Sequence, residues 1–155
     1  MILLAVLLSL GPVAPLADVA AFARACERQP RCTELAAIAW VESRFDRDVQ
    51  SKAGACCYMG LLGGRYGIPS CERLIADPDL CLSEAVKHLE QWERDCGESA
   101  LDAWNGGWHK CWSRKTVTGP RCKGRCDSYS RKVRRTQARI EAGITLLTEM
   151  EGTRD

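Results

Sequence analysis

Hydrophobic residues recur at helical spacing along most of this chain, and nowhere do they alternate over the length of a strand. Val19, Phe22, Ala23 and Cys26 fall on one stripe, which predicts a helix over about Val19–Glu27. After the turn "RQPRC", Leu35, Ile38, Ala39 and Glu42 share one side of a second predicted helix, about Glu34–Arg44. Thr33 stands where its hydroxyl can cap that helix. Leu82, Ala85, Val86, Leu89 and Trp92 predict a helix from about Leu80 to Cys96, stopped by Gly97, with Trp92 on the core face. Glu90 and Arg94 are placed as an exposed i,i+4 pair on it. "ESALDAWNGGW" predicts a shorter helix closed by Gly106 and Gly107. Tyr129, Val133, Ile140, Ile144 and Leu147 set the buried face of a last one, about Ser128–Met150. Two stretches lack such a period. Ser51–Cys71 holds five glycines and reads as loop, and "HKCWSRKTVTGPRCKGRCD" reads as an irregular basic loop. The pattern predicts one mostly α domain, without repeats or linkers.

Cysteine usage changes that picture. Ten cysteines in 155 residues read as a disulfide framework made in an oxidising compartment. The fold class is therefore a helical domain with long, disulfide-stapled loops. Cys26 with Cys32 is a natural local pair, and the adjacent Cys56 and Cys57 are expected to choose different partners. The N-terminus agrees with export. "MILLAVLLSLGPVAPLA", residues 1–17, is uncharged, with an apolar run of signal-peptide length and small residues after it. Cleavage after Ala17 or Ala20 is expected, leaving 18–155 as the domain. The absence of a Lys or Arg after Met1 leaves open a start further upstream or a segment kept as a weak anchor. A first buried helix is disfavoured by Pro12 and Pro15.

Glu42 is the residue that does not fit the pattern. "AIAWVESRFD" places it on the apolar stripe at the C-terminal end of a helix. The unpaired carbonyls there disfavour a carboxylate, and apolar surroundings do so again by desolvation. Both raise the pKa. An acid kept protonated near neutrality can protonate a glycosidic oxygen. The plain alternative is a solvated Glu42 paired with Arg44 or Arg47.

The residues around Glu42 favour the first reading. "VESRF", then "SKAGACCYMGLL", then "ALDAWNGG" resembles the soluble-type lytic transglycosylase domain of the lysozyme-like superfamily, which includes goose-type lysozymes. That family shows Glu-Ser with an aromatic, a Gly-Ala…Gly-Leu-Met-Gln loop, and Ala-Tyr-Asn-Ala-Gly. Glu42, Ser43 and Phe45 match the first motif, Gly54-Ala55 and Gly60-Leu61 the second, and Ala103, Asn105 and Gly107 the third. "YSRKV" also sits where the family has a similar stretch, and the likeness spans about Val19–Arg139. Two positions depart: Gly63 stands near the family's Gln, and Trp104 replaces a Tyr expected to hydrogen-bond the acid. An indole can donate only from its N–H, so the geometry at the acid must differ.

The resemblance implies a lysozyme-like fold that cleaves the β-1,4 bond between N-acetylmuramic acid and N-acetylglucosamine. Glu42 would act alone as acid and then base, giving 1,6-anhydro products without a cofactor. Ser43, Tyr58, Met59, Gly60, Trp104 and Asn105 are the expected substrate contacts, with Trp108 as a further groove residue. Trp40 and Trp92 are assigned to the core, and His88 has no role. Asp46 or Asp48 positioning a water would instead give hydrolysis, as in a muramidase, and a catalytically weakened wall-binding protein is the third reading. His109, Cys111, Cys122 and Cys126 carry zinc-ligand chemistry, but an exported chain favours disulfides there, and no metal is expected. Net charge is only +2, yet residues 110–139 hold eleven Lys or Arg against one acid, Asp127. Such a face suits anionic wall polymers beside the peptidoglycan strands. No nucleic acid is expected as a partner, and the protein is expected to be a monomer.

Overall fold

A computed structural model of the chain describes residues 1–97, 100–106 and 128–153. Among these the chain is mostly helical. In order the elements are α1 (Ile2–Ser9), α2 (Leu16–Cys26), α3 (Cys32–Ser43), β1 (Ala55–Cys56), β2 (Leu61–Leu62), α4 (Cys71–Ala76), α5 (Pro78–Cys96), α6 (Ala100–Gly106) and α7 (Ser128–Gly152). The central α3 packs on α7, α2 and α5, while α6 bridges α5 and α7.

The predicted stripes do the packing. Val19, Phe22, Ala23 and Cys26 of α2 are buried, as are Leu82, Ala85, Val86 and Leu89 of α5. The side chain of Asp77 accepts from the Leu80 N–H, and Pro78 stands in the first turn of α5 where its missing N–H costs nothing. Arg94 donates to Gln91 (2.8 Å) and so has a partner one residue away from the expected Glu90. The cap expected from Thr33 is not made. The Cys26–Cys32 disulfide starts α3 at Cys32, which puts Thr33 inside the first turn, and its hydroxyl donates to Glu141 (3.1 Å).

The N-terminal segment differs from the expectation about its prolines. Residues 2–9 form α1, with Leu3, Val6 and Leu7 buried against α2 and α7. Pro12 and Pro15 break nothing, because both lie in the connection after the helix. Gly143 lets α1 approach α7: a Cβ there would lie 3.0 Å from Val6 Cγ1. No helix among the described residues is long and apolar enough to cross a membrane.

The loop-rich stretch is held by covalent ties and one small hairpin. β1 pairs antiparallel with β2, Ala55 opposite Leu62 and Cys56 opposite Leu61. Cys56 is bonded to Cys71 and Cys57 to Cys81, so the two adjacent cysteines do take different partners. These bonds pin the hairpin to α4 and α5. No strand pattern announced the hairpin, since each strand has only two residues.

Candidate functional site

The site begins with the way α3 ends. Arg44 and Phe45 both adopt left-handed backbone conformations, φ 55° and 66°. For residues with a Cβ this costs about 1–2 kcal/mol each. Phe45 offsets it by complete burial, with its ring 5.0 Å from Phe22 and 5.8 Å from Trp40. The reversal leaves Glu42 on the last turn of α3. Next to it, Ser43 is buried, its hydroxyl within 3.0 Å of the Ala39 carbonyl and 2.9 Å of the Tyr58 carbonyl. Ser43 thus fastens the helix end to the β1–β2 turn.

That turn delivers Gly60 to Glu42. Gly60 has φ 64°, and a Cβ on it would stand 3.0 Å from Glu42 Oε2. A side chain here would press on the carboxylate and strain the left-handed backbone, so the close approach favours glycine. The other carboxylate oxygen, Oε1, accepts from the Tyr129 hydroxyl at 2.6 Å. Tyr129 opens α7 and is 6% exposed, so its phenol is fixed. Burial raises the pKa of Glu42, and the hydrogen bond from Tyr129 pulls against that rise without cancelling it. Burial, with the charge of Glu42, raises the Tyr129 phenol as well, which keeps it a donor.

Glu42 faces a cavity of about 690 Å3 between the hairpin, α5 and α6. Tyr66, Trp92 and Trp104 supply aromatic surface to its wall, and His88, Gln91, Asp95 and Asn105 supply polar groups. Burial lowers the His88 pKa, favouring the neutral ring. A half-buried acid among aromatic faces and short polar side chains is equipped to grip a polar, ring-shaped ligand and to pass it a proton.

Of the residues predicted from sequence, the fold brings Glu42, Gly60, Trp104 and Asn105 to one cavity. Ser43 acts on backbone carbonyls instead. Tyr58 and Met59 correct the expectation of groove contacts, since both are fully buried. Cys57 (φ 57°) turns the chain so that their side chains enter the core. Tyr58 meets Phe22 edge-on at 5.3 Å, and its hydroxyl donates to the Asp18 carbonyl (3.2 Å). Trp92, expected in the core, is a half-buried wall residue, and His88 also lines the cavity. Trp108, Gly107, His109, Cys111, Cys122, Cys126 and Asp127 lie outside the described residues. Among the described ones no group of His, Cys, Asp or Glu is disposed to hold a metal.

Gly63 also has a local reason. A Cβ there would lie 2.5 Å from Cys71 Sγ and 2.7 Å from Cys71 N. The Cys56–Cys71 disulfide therefore requires glycine at this position. Tyr129 is the residue that sequence reasoning passed over as a contact for the acid. Its signal was present in "YSRKV", but it lies 87 positions from Glu42. Comparison with protein-family models, curated proteins and solved structures finds no match for this chain.

Proposed function

We propose that this protein is an exported enzyme of lysozyme-like fold that cleaves the β-1,4 bond between N-acetylmuramic acid and N-acetylglucosamine in peptidoglycan, as a lytic transglycosylase. The observation that carries the reading is the setting of Glu42: raised in pKa by burial, held by Tyr129 at 2.6 Å, and open to an aromatic cavity. Protonated Glu42 gives its proton to the glycosidic oxygen as the bond to C1 breaks. The muramic C6 hydroxyl then bonds to C1 and returns a proton to Glu42. The acid is regenerated and no water is consumed. Tyr129 supplies the phenolic hydrogen bond that the motif position of Trp104 lacks.

Export is supported by the covalent ties among the described residues, which suit an oxidising compartment. A hydrolytic outcome has one specific support, since Asp95 is a second carboxylate on the cavity wall. Asp46 is less suited to that role: its carboxylate accepts from the backbone N–H of Asp48 (3.0 Å), and neither lines the cavity.

The test is digestion of purified peptidoglycan with the wild type, Glu42→Gln and Asp95→Asn, with fragments weighed by mass spectrometry. Anhydro-muropeptides from the wild type and Asp95→Asn, and none from Glu42→Gln, are expected. Reducing ends that vanish with Asp95→Asn would turn the reading to hydrolysis. Equal fragments from Glu42→Gln would end it.

A further inference from the structure

A second cavity lies between the end of α3 and α7. It is an open cleft of about 510 Å3 and shares no lining residue with the first. α3 contributes Trp40 and Val41, and Arg44 follows at its C-terminal cap; α7 contributes Ser128, Arg131, Lys132, Arg135 and Thr136. The α7 residues from Ser128 to Arg135 stand at i, i+3, i+4 and i+7, a single helical stripe. Lys132 and Arg135 on that stripe and Arg44 opposite them line one space. Among the described residues no carboxylate lines it.

Like charges gathered this way repel and tend to disperse. The Arg44 side chain is instead held. Its guanidinium carbon sits 4.1 Å from the centroid of the Trp40 ring, on a backbone at φ 55° that few side-chain-bearing residues adopt. One guanidinium from the end of α3, and one guanidinium and one ammonium from α7, can engage the several oxygens of a phosphate, where a carboxylate offers only two. The space is larger than one inorganic ion needs, so the group bearing the anion can enter as well.

We infer that the cavity between α3 and α7 is a binding site for a phosphate ester, gripped by Arg44, Lys132 and Arg135. The site is separate from the proposed chemistry at Glu42 and does not depend on it.

The test is an NMR titration of the full chain with glycerol phosphate and with inorganic phosphate, ionic strength held constant with chloride. A saturable one-site shift of the Arg44 and Arg135 side-chain N–H signals is expected with glycerol phosphate. Arg44→Gln and the pair Lys132→Gln/Arg135→Gln should each weaken binding at least about tenfold, as loss of charge-assisted hydrogen bonds implies. Arg134→Gln/Arg139→Gln removes two exposed cations of the same helix outside the cavity and should change it by less than about twofold, the size of a screened surface effect. Vesicles of phosphatidylglycerol in phosphatidylcholine then distinguish the source. If they compete with glycerol phosphate for the site, the ester is a lipid headgroup; if they do not, it is a soluble or wall-polymer phosphate. No saturable shift, or equal weakening by the Arg134/Arg139 pair, overturns the site. Circular dichroism of each variant separates loss of binding from loss of fold.

Discussion

Replacing Tyr129 with phenylalanine removes one oxygen and leaves the buried ring. That oxygen donates to Glu42 at 2.6 Å, a charge-assisted contact when the carboxylate is ionised. Such bonds contribute about 1.5–3 kcal/mol net. Glu42 is only half-buried, and water can reach part of it, so the lower end applies. Loss of about 1.5 kcal/mol from the ionised form shifts the ionisation equilibrium about tenfold toward the protonated acid. The direction follows from the two opposing effects on Glu42: burial raises its pKa, the phenol lowers it, and only burial survives the substitution. The assay is a 13C NMR titration of the glutamate side-chain carboxyls, with Glu42 assigned by its absence in Glu42→Gln. The alkaline limb of turnover on peptidoglycan should move to higher pH with it. A Glu42 midpoint that stays within about twofold of wild type in the equilibrium constant, or falls, refutes the idea that Tyr129 tunes the acid.

Three further outcomes are expected. Because the folded pKa of Glu42 is raised, the wild type is best placed relative to Glu42→Gln at acid pH and loses that advantage as pH rises through the folded value; urea unfolding should find the Gln variant gaining in relative stability from pH ~4 to ~8, and a constant difference would contradict it. Gly60→Ala should destabilise by about 1–2 kcal/mol from its φ of 64° alone, and displacement of the carboxylate should lower turnover more than stability, read by comparing peptidoglycan digestion with thermal unfolding. Leu7→Ala removes a fully buried side chain of α1 and should cost about 2–5 kcal/mol in denaturant unfolding of the full chain; a loss under about 0.5 kcal/mol, the scale of a surface change, would mean α1 is not docked on α2 and α7.

Local pattern determined a large part of this protein. The stripes of α2, α5 and α7 could be read because each buried residue recurs within one turn of the next, a relation fixed by the backbone alone. The pairing of Cys26 with Cys32 was legible for the same reason, as was the misplaced acid at the end of α3. Chain pattern could not decide what meets that acid. Tyr129 and Gly60 come from a distant helix and a two-residue hairpin, and only packing sets them against Glu42. Nor could it tell which of four neighbouring residues face inward. In Cys57–Gly60 two left-handed residues, Cys57 and Gly60, bracket the buried Tyr58 and Met59 and bring Gly60 to the acid. Trp92 had the spacing of a core face and His88 had no assigned role, and only the position of α6 and the hairpin decided that both line a cavity. Sequence carries the propensities of neighbours within a turn or two; the distances that make an acid reactive lie between segments, and tertiary packing alone fixes them.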